Sequence, residues 1–230
     1  SGQATPPLDA FFTATSALCV TGLVVVDTQE HWNFFGEAVI LALIQIGGLG
    51  YMAGASLVLW LLGGRLGVRD QYMLRLYYGA PTMAETLTFV RRVVVYALAW
   101  ELAGAAVLIA AFTLAGEPFL RSLWWGFFHA LSAFNNAGFN VTGNDLLAYA
   151  TKPYVLLPHA VLILAGSLGA VPVLVAASRR SWRRLNLDSR LVFAVSLFLL
   201  GLGFVYIAAA EWSNEATLGG LPVAHRLDVA

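Results

Sequence analysis

The chain has 230 residues, of which 59% are hydrophobic and 11% charged, and its thirteen basic and thirteen acidic residues give a formal net charge of zero. Because about a quarter of the residues in an ordinary soluble domain are charged, this composition excludes such a domain and predicts an integral membrane protein. The single cysteine, Cys19, excludes an internal disulfide and a zinc site built from cysteines.

The first predicted elements are a short apolar helix over residues 8–18, an irregular loop over 19–24 and a long apolar span over 34–62. A helix of that first length crosses only about half of a bilayer, so we expect it to be re-entrant. Non-helical backbone at membrane depth is tolerated only where protein buries it or where it lines a water-filled cavity. We therefore expect loop 19–24 to be in one of these two environments.

An internal repeat links this segment to a later one. Residues 11–23 read FFTATSALCVTGL and residues 127–139 read FFHALSAFNNAGF, with six identities in thirteen positions at a constant offset of 116. Such agreement in one register is typical of a repeated structural unit. The unit is a short helix followed by a loop centred on Gly22 or Gly138.

The rest of the chain follows the same plan. In order, we predict a basic loop (63–92), a span (93–115), a short polar turn (117–122), the second short helix (123–134), the second glycine loop (135–140), a span (154–177), a second basic loop (178–190), a last span (191–210) and an outer tail (211–230). Ten of the thirteen basic residues lie within the two basic segments. Since positive charge favours the cytoplasmic side, both basic loops are predicted to be cytoplasmic and both glycine loops to enter from outside.

The predicted fold is therefore an all-α membrane protein built from units of span, pore helix and span. The second unit is complete, over residues 93–177. The first, over residues 1–62, lacks its first span, and residues 191–210 would open a third. We expect the chain to be a fragment of about half of a longer protein.

The two glycine loops are the candidate functional site. A half-helix descending into the membrane directs the negative end of its dipole toward the bilayer centre, where a cation is stabilised. The loop after it can offer backbone carbonyls in place of the ion's water shell, and glycine allows backbone conformations that other residues disfavour. We expect Gly22 and Gly138 to bind the ion, with Leu23 and Phe139 packing behind them. Carbonyls from both loops would form the rest of the site, namely those of Cys19, Val20, Thr21, Asn135, Asn136 and Ala137. Neither loop carries a carboxylate, which favours a monovalent cation over a divalent one.

These motifs resemble a known family. The segments Ser16-Ala17-Leu18-Cys19-Val20-Thr21-Gly22-Leu23, Ile44-Gln45-Ile46-Gly47-Gly48-Leu49-Gly50 and Ser132-Ala133-Phe134-Asn135-Asn136-Ala137-Gly138-Phe139 are similar to the potassium-translocating subunit of Trk/Ktr/HKT-type uptake systems. The resemblance implies four span, pore-helix and span units around one pore, each contributing one filter glycine. Two of the four are expected here. Glycine at position 22 matches the potassium-selective members.

The resemblance also implies a function and partners. It implies potassium uptake across the cell membrane, driven by the membrane potential and in some members coupled to sodium or protons. We expect the chain to lie in the lipid bilayer as part of a homodimer. A cytoplasmic nucleotide-binding regulatory subunit of the TrkA/KtrA kind would bind it. Neither a bound cofactor nor a nucleic acid partner is expected, and the protein is not expected to be an enzyme.

Four polar residues have competing interpretations. Glu101, an acid deep in a span, is by its position a candidate functional residue, but we favour pairing with a neighbouring helix or protonation. His129, as a lone histidine on the second short helix, is interpreted as a packed or interfacial residue and not as a ligand. Asn135 and Asn136 could brace the loop through their side chains or satisfy the backbone of a turn.

A rival function from another class is an intramembrane serine hydrolase. Ser167 lies among small residues in a span, and His129 or His159 could serve as its base. However, Ser167 aligns at an offset of 119 with Gly48 of the first unit, which indicates that small size matters at this position. A third interpretation is a membrane fragment that does not conduct ions.

Overall fold

In the computed structural model, residues 5–61, 83–179, 181–214 and 217 are described, and within these ranges the chain is helical, without strands. The protein is thus an all-α membrane protein. In chain order the α-helices are α1 (Pro7–Leu18), α2 (Thr28–His31), α3 (Phe34–Leu61), α4 (Met83–Leu114), α5 (Phe119–Phe134), α6 (Pro153–Ser167), α7 (Ala170–Arg179) and α8 (Leu187–Glu211). Residues 63–82 of the predicted basic loop 63–92 lie outside the described residues, and residues 83–92 are not a loop but the first part of α4. Most of the tail 211–230 also lies outside the described residues.

Helices α1 and α5 are the two predicted short helices. Proline precedes each of them, and Pro118 introduces α5, whose first turn is closed by the Ser122 amide donating to the Pro118 carbonyl at 2.9 Å. Because proline suits the entry to a helix, α5 begins at Phe119, four residues before the predicted 123. The residues predicted to form a polar turn are instead the first turn of α5.

Two single helices in the described part are long and apolar enough to cross a membrane, the Arg91–Leu114 part of α4 and the whole of α8. Helix α3 is apolar over Phe34–Gly50 and continues to Leu61. The predicted span 154–177 is not one straight helix, because α6 and α7 meet at an angle of 89°. The chain turns at Gly169, whose φ of +74° ends α6, and Pro172 lies within the first turn of α7.

Helix α5 occupies the centre of the packing. It contacts α4, α6 and α3, whereas α1 packs on α3. Most side chains of α5 are buried, and three aromatic rings of the core, those of Phe112, Phe128 and Phe134, are fully buried. In α1 only Thr13, Ser16 and Ala17 are buried. The second short helix is therefore enclosed by neighbouring helices, and the first is partly open.

The connection between α5 and α6 is anchored at Tyr149. Its hydroxyl donates to Glu117 Oε1 at 2.8 Å, and its ring contacts Phe112. Burial, with this hydrogen bond, raises the pKa of Tyr149. The phenol therefore stays protonated further into the alkaline range than an exposed tyrosine, and it remains a hydrogen-bond donor there.

Candidate functional site

The turn that ends α1 recurs at the end of α5. The Thr21 amide donates to the Ser16 carbonyl at 2.9 Å, and the Ala137 amide donates to the Ser132 carbonyl at 2.8 Å. These bonds join residues five apart, as in the motif in which a left-handed residue closes a helix. The repeat in the sequence is therefore a repeat in backbone structure.

Left-handed backbone occurs at matching positions of the two loops. Val20 and Asn136 have φ of 55° and 57°, and Gly22 and Gly138 have φ of +80° and +74°. Non-glycine residues with positive φ are uncommon and are found where the surrounding structure enforces them. Each loop thus has two left-handed residues separated by one that is not.

The two loops touch at their glycines. A Cβ atom built on Gly22 would lie 2.6 Å from the Ala137 carbonyl oxygen and 3.1 Å from the Gly138 Cα, and one built on Gly138 would lie 3.2 Å from the Gly22 Cα. A side chain at either position would separate the loops. Glycine is required here both by the positive φ and by the close approach of two backbones.

Glycines of the following helices support the ends of the short helices. A Cβ on Gly47 of α3 would overlap the carbonyl oxygen of Leu18, and one on Gly166 of α6 would overlap that of Phe134. Leu18 and Phe134 are the last residues of α1 and α5. The same contact is therefore made in both units, and it fixes the depth at which each short helix ends.

A buried polar network lies behind the second loop. Asn135 Nδ2 donates to Glu101 Oε1 at 3.0 Å, and Gln45 Nε2 donates to Glu101 Oε2 at 3.0 Å. Asn135 Nδ2 also donates to the Leu131 carbonyl at 3.0 Å. The pairing expected for Glu101 with a neighbouring helix is thus present, and its second partner is a residue of the loop itself.

Two cavities adjoin the loops. One, of about 590 Å³, is lined by Gly22, Asn136 and Gly138 together with His129 and His159. The other, of about 680 Å³, is lined by the residues that end the short helices and by the glycines behind them: Leu18, Cys19, Val20, Gly47, Gly48, Asn135, Asn136, Gly166 and Ser167. Asn136 borders both cavities, so the loops separate one from the other.

The structure brings the predicted site residues together. Gly22 contacts Ala137 and Gly138, and four others line the second cavity, Cys19, Val20, Asn135 and Asn136. Thr21 lies between Val20 and Gly22. The predicted packing behind the glycines is found for Phe139, which is buried, and is wrong for Leu23, which is 60% exposed because no described element covers that side of the first loop.

The remaining candidates have ordinary partners. The Ser167 hydroxyl donates to Asn136 Oδ1 at 2.9 Å and lines the second cavity, whereas His129 and His159 line the first. The two histidine rings pack together with centroids 5.2 Å apart, so His129 is a packed residue. Within the described ranges there is no cluster of three or more His, Cys, Asp or Glu side chains placed to hold a metal ion.

Sequence reasoning missed two features, the glycine supports and the link from Gln45 to the second loop. The offset of 119 that aligns Gly48 with Ser167 also aligns Gly47 with Gly166, so the glycine supports had a detectable signal. No sequence signal joins Gln45 to Glu101 and Asn135, because Gln45 and Glu101 lie on two different helices, Asn135 follows a third, and none of them recurs in the repeat.

The chain belongs to the TrkH family of cation transport proteins, and the match to the family covers residues 1–214. It is accordingly a multi-pass membrane protein, and its long apolar helices fit that class. It is 33% identical over 220 residues to the Ktr system potassium uptake protein B of Bacillus subtilis, covering 96% of this chain and 49% of that protein.

Two other relatives show the same extent of similarity. The potassium/sodium uptake protein NtpJ of Enterococcus hirae is 34% identical over 218 residues, covering 95% of this chain and 48% of the relative. The Ktr system potassium uptake protein B of Vibrio alginolyticus is 32% identical over 217 residues, covering 93% and 47%. The chain thus spans about half the length of the curated relatives it matches.

Proposed function

We propose that the protein takes up potassium across the cell membrane and that its two glycine loops are two of four strands of a selectivity filter made of backbone carbonyls. The observation that carries the proposal is the contact of two left-handed glycines, Gly22 and Gly138, between two cavities. Relatives named as potassium uptake proteins support potassium as the substrate, and one named for potassium and sodium supports sodium as a second ion.

The electrostatics of the loops favour a dehydrated monovalent cation. Both short helices end at the loops, so the negative ends of two helix dipoles face the same region. Carbonyl oxygens can replace the water shell of an alkali ion without a full negative charge. The eight filter residues, which include Cys19 and Asn136, supply such carbonyls and contain no carboxylate.

The proposal extends to the architecture of the complete protein. Units of span, short helix and span would surround one pore, with α1 and α3 in the first unit, and α4, α5 and α6 with α7 in the second. Helix α8 would open a third unit. Two relatives are named as part of a "Ktr system", which supports a regulatory partner. We propose that this partner is a cytoplasmic nucleotide-binding subunit and that the complete protein is a homodimer.

Serine in place of either glycine tests the proposed filter. In the full-length protein, expressed in cells that lack their own potassium uptake, we expect Gly22→Ser or Gly138→Ser to lower the selectivity for potassium over sodium by about tenfold or more, since a hydroxymethyl group forces the two loops apart. The measurement is uptake of each ion over a range of concentrations.

Gly116→Ser is the matched control for the filter variants. Gly116 also has a positive φ, of +100°, but within the described part of the chain a Cβ there would meet no other atom within 4 Å. It lies in the turn after α4, away from both loops, so its serine variant carries the backbone strain without the contact. Selectivity that stays at the wild-type value in both filter variants would refute the proposal.

A further inference from the structure

We propose that Glu101 is a positioning residue for ion selectivity, holding the second glycine loop in place through the side chain of Asn135. This inference rests on the function proposed above and adds to it a buried group outside the loops. Glu101 lies on α4, Asn135 follows the last residue of α5, and the second donor to the carboxylate, Gln45, lies on α3.

Both oxygens of the Glu101 carboxylate accept hydrogen bonds, each from a different element. Oε1 accepts from Asn135 and Oε2 accepts from Gln45, both at 3.0 Å. Hydrogen bonds to a carboxylate are shorter and stronger than those between neutral groups. Glu101 therefore ties the end of α5 to α3, which belongs to the other repeated unit.

Helix packing alone does not explain why a carboxylate is buried at position 101. Its side chain is 2% exposed, and no ion pair to it is found among the described residues. A buried carboxylate is costly, and apolar side chains of similar volume often replace buried polar groups without loss of stability. The side-chain amides of Asn135 and Gln45 both donate to this carboxylate, so its role is to fix their orientation.

Asn135 has little freedom apart from this contact. Its Nδ2 also reaches the Leu131 carbonyl, and its Oδ1 is buried without a hydrogen-bond partner. That oxygen lies against Gly48, where an added Cβ would overlap it. The Asn135 side chain is thus held by hydrogen bonds at Nδ2 and by packing at Oδ1. Its position therefore constrains the backbone of the neighbouring Asn136, which is left-handed.

The test compares four variants of the full-length protein in cells that depend on it for potassium. Glu101→Leu and Asn135→Leu each remove one partner of the hydrogen bond, and we expect each to lower selectivity for potassium over sodium by about tenfold, as for one charge-assisted hydrogen bond. The selectivity of the double variant should be no lower than that of the less selective single variant, because both changes break the same contact. Glu101→Gln keeps an acceptor at the same chain length and should recover selectivity to within about threefold of wild type.

Glu37→Leu is the matched control. Glu37 is also a buried carboxylate, 8% exposed, and it accepts a hydrogen bond from Trp124 Nε1 of α5. It lies eight residues before Gln45 on α3, which is about 12 Å along a helix, and it lines neither of the two cavities beside the loops. Its loss removes a comparable hydrogen bond without touching the loops, so we expect wild-type selectivity.

The outcomes separate this inference from the proposed function. If the wild-type protein does not support potassium uptake, or if Gly22→Ser and Gly138→Ser both leave selectivity unchanged, the proposed function fails. If those results hold and Glu101→Leu keeps wild-type selectivity, the inference fails alone. It also fails if the selectivity losses of the two leucine variants multiply in the double variant. The same holds if Glu101→Gln loses as much selectivity as Glu101→Leu, or if Glu37→Leu does. Selectivity is a ratio measured on the same cells, so it does not depend on protein abundance. If neither leucine variant accumulates in the membrane, the network serves folding and the inference is overturned.

Discussion

Gly48 shows how one missing side chain shapes the site. A Cβ at this position would overlap the Oδ1 and Cγ atoms of Asn135, whereas a Cβ at Gly50, two residues further along α3, would meet no atom of the described residues within 4 Å. We expect Gly48→Ala to displace Asn135 and lower selectivity for potassium over sodium by about tenfold, the effect of losing about 1.4 kcal/mol of discrimination. Gly50→Ala should leave it unchanged. Uptake of both ions by the two variants checks this, and equal selectivity would show that Asn135 tolerates the displacement.

Among the helices, the bend between α6 and α7 is the feature that bears on stability. Gly169 has φ of +74°, and a Cβ there would only reach ordinary contact with Pro172 at 3.9 Å. Gly169→Ala therefore tests backbone strain alone, and it should destabilise the protein by about 1 kcal/mol. The measurement is the midpoint of thermal unfolding in detergent, which we expect to fall by a few degrees.

A glycine within a straight helix is the control for the bend. Gly201 of α8 has no positive φ and open space around its Cα, and alanine is the better helix former of the two residues. Gly201→Ala should leave the midpoint unchanged or raise it slightly. A midpoint that also stays unchanged for Gly169→Ala would mean that the turn at residue 169 does not depend on a left-handed glycine.

Among the helices and loops, those that belong to the internal repeat were predictable from the sequence, and the others were less so. The repeat located α1, α5 and both glycine loops, because identities at one constant offset reflect a shared backbone structure. The bend near Gly169 was not predicted, since the apolar run over 154–177 was interpreted as a continuous span in spite of its two glycines. The start of α5 was placed too late because the residues after Pro118 were interpreted by their polarity. The Glu101 network depends on three helices meeting, and no local pattern encodes such a meeting.

For the whole molecule, the distribution of charge predicts its orientation in the membrane. Arg91 begins the apolar span of α4, Arg179 ends α7 and Arg183 lies just before α8, whereas the turn that leads from α4 into α5 follows the other end of the α4 span. Because basic loops favour the cytoplasm, both short helices should begin at the outer surface. The two loops would then be reached from outside, as the uptake of an ion requires.

Cysteine labelling tests this orientation. In a full-length protein whose native cysteines, including Cys19, are replaced by serine, Leu120→Cys and Trp182→Cys each introduce one reactive thiol. Both positions are well exposed, at 79% and 54%, so accessibility across the membrane, not burial, decides the result. A thiol reagent that does not cross membranes should label Leu120→Cys in intact cells and Trp182→Cys only after the cells are permeabilised. The reverse pattern would place the basic loops outside, and the short helices would then enter from the cytoplasm, which contradicts the proposed direction of the pore.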